Sequence, residues 1–513
     1  MFRVRLPLVV FLVSLIGVPL AAQQPPPATK PAIHDVVAAV SADRIEADIR
    51  TLVSFGTRNT LSDTVSSTRG IGAARRWIKA EFDRISEACG GCLEVFYVSD
   101  VVQGGGRIPQ PTNIVNVVAI QRGTTDPNRM VIMSGDIDSR ISSAINATDS
   151  APGANDNASG MAGTIEAARA LTRHRFNGSI VYMGLSGEEQ GLYGGQIVAQ
   201  HALEQNWRIV GVLNNDMIGN IEGISGVIEN TTARVFSDPT PMSPRLQEAR
   251  DRTLEVIRQI AEGAPYVIEE DDTLRLDDAL RRMEALSEAQ WSSMRRVGGE
   301  VDGSSRQLAR YVDRIADLYF PTLDVMIIYR LDRFGRGGHH TPFANVGYPG
   351  VRIMESHENY DRQHQDIRVE DGIAYGDVVE GVDFDYAAKM TGLNAATMAA
   401  LAWAPQPPEN VRITGAVRPA ASLIWDAPED AQNVAGYRVY WRRTDSPTWD
   451  NSKWVGKPST WPGRPEGERA ERSGIGPNTY GYRFDGLVID NYYFGVAAVA
   501  ADGNESTVVF PLP

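Results

Sequence analysis

The sequence predicts an α/β fold: a mostly parallel mixed sheet flanked by helices, with a helical insertion, followed by a separate all-β sandwich. Three observations lead there. From about residue 111 to 225, short apolar runs alternate with helix-like stretches, the pattern of a parallel sheet covered by its crossover helices. Between 230 and 335 the alternation gives way to mostly helical sequence. After the Pro-rich stretch at 403–408, residues 406–513 alternate at period two between turn residues. A chain of 513 residues is too long for one small core, so two or more domains are expected.

From the N-terminus, residues 1–22 read as a signal peptide. Arg3 and Arg5 supply its charged start, Leu6 to Val18 its apolar centre and Leu20-Ala21-Ala22 its small-residue end. The apolar run is short for a bilayer span and no later run is long enough, so an exported protein, periplasmic or extracellular, without a stable membrane span is expected. Residues 23–35 read as a Pro-rich linker and 36–403 as the main domain. Asp43 to Phe55 and Gly70 to Ile85 read as amphipathic helices, the second with Ile71, Ala74, Trp77, Ile78 and Phe82 on one face. The two cysteines, Cys89 and Cys92, fit a small-loop disulfide in an exported chain. A zinc knuckle would need a second pair. The net charge of -14 and the lack of any basic block argue against a nucleic-acid partner.

The strands of the main domain each hand over a metal-type side chain. The run Val131 to Gly135 delivers Asp136 and Asp138, and the loop 152–157 delivers Asp156. Ile180 to Leu185 leads to Glu188 and Glu189, and Ile209 to Leu213 to Asp216. Gly350 to Met354 is followed by His364. Met161 to Leu171 and Gly194 to Leu203 read as intervening helices, and Arg306 to Tyr319 as an amphipathic helix of the 230–335 insertion. Ligands of open α/β sheets bind beyond the carboxyl ends of the strands, where these acids would converge. Clustered carboxylates repel unless cations neutralise them, so the pattern points to a metal site.

Six stretches resemble the secreted bacterial aminopeptidases with two zinc ions, relatives of glutamate carboxypeptidase and glutaminyl cyclase. They are Gly135-Asp136-Ile137-Asp138-Ser139, residues 151–160 around Asp156, Ser186-Gly187-Glu188-Glu189-Gln190-Gly191-Leu192, Asn214-Asn215-Asp216-Met217, Gly338-His339-His340-Thr341-Pro342-Phe343 and Tyr360-Asp361-Arg362-Gln363-His364. They stand in family order, and the resemblance covers roughly residues 40 to 400. It implies a metallopeptidase acting on peptide substrates, aminopeptidase-like, with Asp156 bridging two metals. Glu189 and His364 would complete one site, Asp216 and residue 136 the other, and Glu188 would be the general base. His340, Asp138 and Arg336 would lie near the site or its substrate, whereas His339 is assigned ordinary packing.

Position 136 departs from that pattern, with Asp where the family has His. Either Asp136 is a replacement ligand, the reading adopted here, or the second site is weak or empty. Two divalent ions are expected, zinc first, with manganese, magnesium or calcium open for the all-oxygen site. Two other readings stay open: a single-zinc enzyme like glutaminyl cyclase, and a non-catalytic surface binding protein. The tail at 406–513 resembles a fibronectin type III domain, with Trp425, Leu487 and Tyr492 at that family's core and corner positions.

Overall fold

A computed structural model describes residues 24–237, 301–330 and 337–511. The signal-peptide stretch, much of the 230–335 insertion and Arg336 lie outside the described residues. The chain begins with α1 (Pro31–Ala38), α2 (Ala42–Ser54) and α3 (Gly70–Ala88). The expected linker is shorter than its sequence suggests, because Pro31 starts a helix; proline suits the first helical position, where its missing N–H has no partner to lose. Ser41 caps α2 by accepting from the Arg44 amide. Cys89 and Cys92 are joined in a disulfide just after α3.

The eight-stranded sheet runs β1-β2-β4-β3-β5-β8-β6-β7. Its centre is β3 (Asp126–Asp136), β4 (Gly178–Leu185), β5 (Arg208–Asn215) and β8 (Gly350–Glu355), all parallel. Every residue of β4 and β8 is buried, as expected where helices cover both faces. The antiparallel pair β1 (Leu93–Val102) and β2 (Thr112–Gln121) closes one edge. The other edge comes from the expected insertion, which is not helical throughout: it supplies β6 (Thr232–Ser237) and β7 (Asp324–Ile328). Both strands are short, and the long amphipathic α7 (Ser304–Tyr319) between them dominates the sequence pattern. They cover β8, whose free edge would otherwise present unpaired backbone groups.

α4 (Gly160–Leu171), α7 and α9 (Phe384–Trp403) share one large core with α1 to α3. On the opposite face, Val198, Ala199 and Ala202 of α6 (Tyr193–Glu204) and Phe343 of α8 (His340–Asn345) pack on β3, β4 and β5. The short α5 (Glu188–Gly191) precedes α6. The C-terminal region forms two three-stranded antiparallel sheets, one of Glu409–Thr414, Ala420–Asp426 and Thr479–Asp485, the other of Asn451–Gly456, Gly436–Arg443 and Tyr492–Val499, around Trp425, Tyr437, Phe484 and Phe494. Trp425 is fully buried, and Leu487 and Tyr492 pack against that core.

This region docks on α7 through buried charge. Asp302 Oδ1 accepts from Arg310 Nη1 and its Oδ2 from Arg442 Nη2, each at 2.7 Å. Glu505 accepts from Arg314 Nη1, Arg438 Nε and the Tyr440 hydroxyl at 2.7, 2.7 and 2.5 Å.

Candidate metal centre

The parallel strands end nearly level. Asp136 pairs with Leu185, Gly135 with Asn215 and Asn215 with Ile353. The loops leaving these ends therefore emerge around one cleft of about 730 Å³. Asp156, Glu188, Glu189, Asp216, Arg352 and His364 line it.

Three of the expected ligands come together. Among the described residues, Asp156, Glu189 and His364 form a group whose ligand atoms all lie within 4.8 Å of one another. His364 Nε2 is 2.9 Å from Asp156 Oδ2 and 2.9 Å from Glu189 Oε1. Burial alone would lower the imidazole pKa, but the Glu189 and Asp156 carboxylates raise it to about 10. The field at that point thus favours a cation. His364 itself is left-handed at φ 56, so the surrounding loop holds its backbone where few non-glycine residues go. Two carboxylates and an imidazole are a donor set that suits zinc.

The loop carrying Asp156 is clamped from two sides. The Asp377 carboxylate accepts from the Asn155 and Asp156 amides at 2.8 and 2.6 Å. The fully buried Arg58 donates to the carbonyls of Ile137, Pro152 and Gly153 at 2.9, 2.5 and 2.8 Å. Asp138 pins the next loop: its two oxygens accept from the Glu188 and Glu189 amides at 3.2 and 3.1 Å, and from Thr60 Oγ1 at 3.0 Å. Glu188 lies half-buried in the cleft wall. Burial, then Glu189, Asp216, Asp136 and Asp156, hold its carboxyl well above the usual range and make it proton-accepting.

Asp136 and Asp216 stand apart from the three-residue group. Asp136 Oδ1 is 2.6 Å from His339 Nδ1, and its Oδ2 accepts from Asn157 Nδ2 at 2.7 Å. Burial, then Asp138, push the Asp136 carboxyl up. Burial lowers the His339 imidazole to about 4 against the pull of Asp138 and Asp216. Both partners are thus driven toward their neutral forms. Asp216 Oδ2 is 2.8 Å from Arg352 Nη2. His340 is buried at the start of α8, and the cleft lining includes Thr341 but not His340.

Sequence reasoning missed Arg58, Asp377, Asn157, Arg352 and the contact of His339 with Asp136. Arg352 sits inside the apolar run 350–354, and a lone charge between apolar neighbours in a buried strand was the available signal. Arg58 and Asp377 act on backbone groups far away in the chain and leave no local pattern.

A profile of peptidase family M28 matches residues 116–267. A probable zinc metalloprotease of the fungus Pyrenophora teres f. teres is 37% identical over 500 residues, covering 98% of this chain and 90% of the relative. Another, from Leptosphaeria maculans, is 38% identical over 487 residues, covering 95% and 98%. The crystal structure of the Legionella pneumophila LapA aminopeptidase is similar at 16% identity and a TM-score of 0.47, covering 75% of this chain and 79% of that one.

Proposed function

The chain belongs to peptidase family M28, a family of zinc metalloproteases, and on that premise we propose that it is an exported exopeptidase, aminopeptidase-like, with Glu188 as its general base. The observation that carries this reading is the position of Glu188. It lines the cleft beside Asp156, Glu189 and His364, and the amide of its own loop is fixed by Asp138. Zinc, if held by those three residues, would supply Lewis acidity toward water and toward a carbonyl oxygen. Glu188 accepts the proton of the attacking water on its carboxylate and returns it to the leaving amine nitrogen. The raised proton affinity of Glu188 suits the first half of that exchange. The signal-like residues 1–22 and the Cys89–Cys92 disulfide support export. No helix among the described residues is long and apolar enough to cross a membrane.

The test is Glu188→Gln, assayed on aminoacyl and peptide substrates with zinc content measured alongside. Turnover should fall by about 10²–10⁴-fold, the usual worth of a general base, while zinc stays bound. Undiminished turnover would remove Glu188 from the chemistry. A second reading, a single-zinc cyclase, is favoured by one observation: Asp136 and Asp216 stand outside the three-residue group. Product mass separates the two, since cyclisation releases ammonia and hydrolysis adds water.

A further inference from the structure

Arg352 is a cleft residue that this reaction leaves unused. It lies on β8 opposite Asn214 of β5, and Asp216 follows two residues after Asn214, so strand alternation puts the three on one face. The guanidinium Nη2 stands 2.8 Å from Asp216 Oδ2, with the two side chains only 3% and 5% exposed. Phe236 of β6 is the register partner of Arg352 on its other side, and Cζ lies 5.7 Å from that ring's centroid. The loop before α8 closes over the stem: a Cβ on Gly338 would lie 3.1 Å from Arg352 Cδ and 2.5 Å from Asn214 Oδ1. Packing on several sides thus directs the cation at Asp216.

We propose that the Arg352 guanidinium takes the place of a second metal ion. The chain then binds one divalent cation, on Asp156, Glu189 and His364, and Arg352 supplies the positive charge at Asp216. The proposal rests on the zinc-peptidase reading above. A guanidinium does not give up its proton, so Asp216 keeps a permanent cationic partner. A metal ion arriving at Asp216 would have to displace that partner and face its charge at short range. Asp136 does not offset this, because each of its oxygens already meets a protein nitrogen, on His339 and Asn157. The His339 ring is itself wedged in place, with Cδ2 2.7 Å from where a Cβ on Gly195 of α6 would stand. Asp136, held by protein nitrogens, and the arginine at 352 therefore act together, leaving Asp216 facing a fixed cation. In the cleft, Arg352 faces the same space as Glu188 and is placed to hold a carbonyl oxygen as negative charge grows on it.

The experiment is zinc stoichiometry by elemental analysis of the full chain after equilibration with excess zinc and removal of the unbound metal. The native protein, Asp216→Asn and Arg352→Met are compared, with circular dichroism reporting the fold of each. One zinc per chain is expected in the native protein and in Asp216→Asn, rising toward two in Arg352→Met. Two in the native protein, dropping to one in Asp216→Asn, overturns the proposal while leaving the peptidase reading intact. A folded Arg352→Met that stays at one also overturns it. If Arg352→Met does not fold, the native and Asp216→Asn values decide. No zinc in the native protein sinks the zinc-peptidase reading itself.

Discussion

Two of the buried charge clusters among the described residues differ in their balance. At the junction between α7 and the C-terminal sheets, two acids, Asp302 and Glu505, face four arginines, Arg310, Arg442, Arg314 and Arg438. In the cleft, Asp136, Asp138, Asp156, Glu188, Glu189 and Asp216 crowd together. Among the cations facing them are Arg352 on Asp216, Arg140 at 3.6 Å from Glu189, His364, and the buried Arg58 and Arg75, whose charges act on Asp138. A buried carboxylate needs a partner, because the low-dielectric interior penalises an isolated charge by several kcal/mol. Where protein cations meet that need, the cluster fastens two parts of the fold. Where the acids remain in excess, the balance must come from outside, and the surplus marks a metal centre.

Three experiments break or sharpen that contrast. The largest effect is expected from His364→Ala. It should abolish zinc retention in equilibrium dialysis and reduce turnover by more than the about 10–100-fold that losing a ligand's supporting partner costs. Retention of zinc would remove His364 from the ligand set. The next is Asp302→Ala. It strands Arg310 and Arg442 in a buried site, so the urea midpoint should fall by an amount equivalent to about 3–5 kcal/mol, with KM unchanged. A midpoint within error of the native protein would reduce the junction to an incidental contact.

The smallest effect is in the pH dependence, where the two clusters should differ in sign. Burial alone would raise the Glu505 pKa, but Arg314, then Arg438, hold it below the usual glutamate value. An acid with a depressed folded pKa contributes stability above its unfolded value, near 4.3, and that contribution fades as pH drops through the lower folded value. In chelated protein, the raised Glu188 and Asp136 act in reverse. Their folded forms bind protons more tightly than the unfolded chain, so the apo fold weakens as pH rises above the ordinary carboxylate range of about 4. Adding zinc should remove that weakening at neutral pH and leave the acid limb unchanged. Thermal melts of apo and zinc-loaded protein across pH would show it, and parallel curves would contradict the surplus-acid account.

The parallel strands were legible in the sequence because each is a short apolar run that ends in a polar loop, as in Ile180 to Leu185. The same pattern located Asp156, Glu188, Glu189 and His364, since the end of a strand fixes where its next residues emerge. It could not show what turns to meet them. Asp136 reads as a ligand from its place at the end of β3, and its partners, His339 and Asn157, arrive from other loops. The strands β6 and β7 were hidden for a related reason. Thr232–Ser237 and Asp324–Ile328 gain their stability from pairing with β8 and each other rather than from any strong local pattern.

The seam at the N-terminal segment has a consequence for how the protein is made. The Lys30 ammonium meets Asp502 at 2.7 Å and lies 3.8 Å over the Trp403 ring, and Gly503 passes so close to Pro27 that no side chain would fit between them. Lys30 leaves the ribosome 472 residues ahead of Asp502. That stretch must therefore wait for its last partner while those residues are made, and contacts this distant in sequence are slow to close. A chain cut short before Asp502 cannot form the seam at all. Protease sensitivity around residues 24–30 would then report whether synthesis had passed Asp502 and the seam had closed.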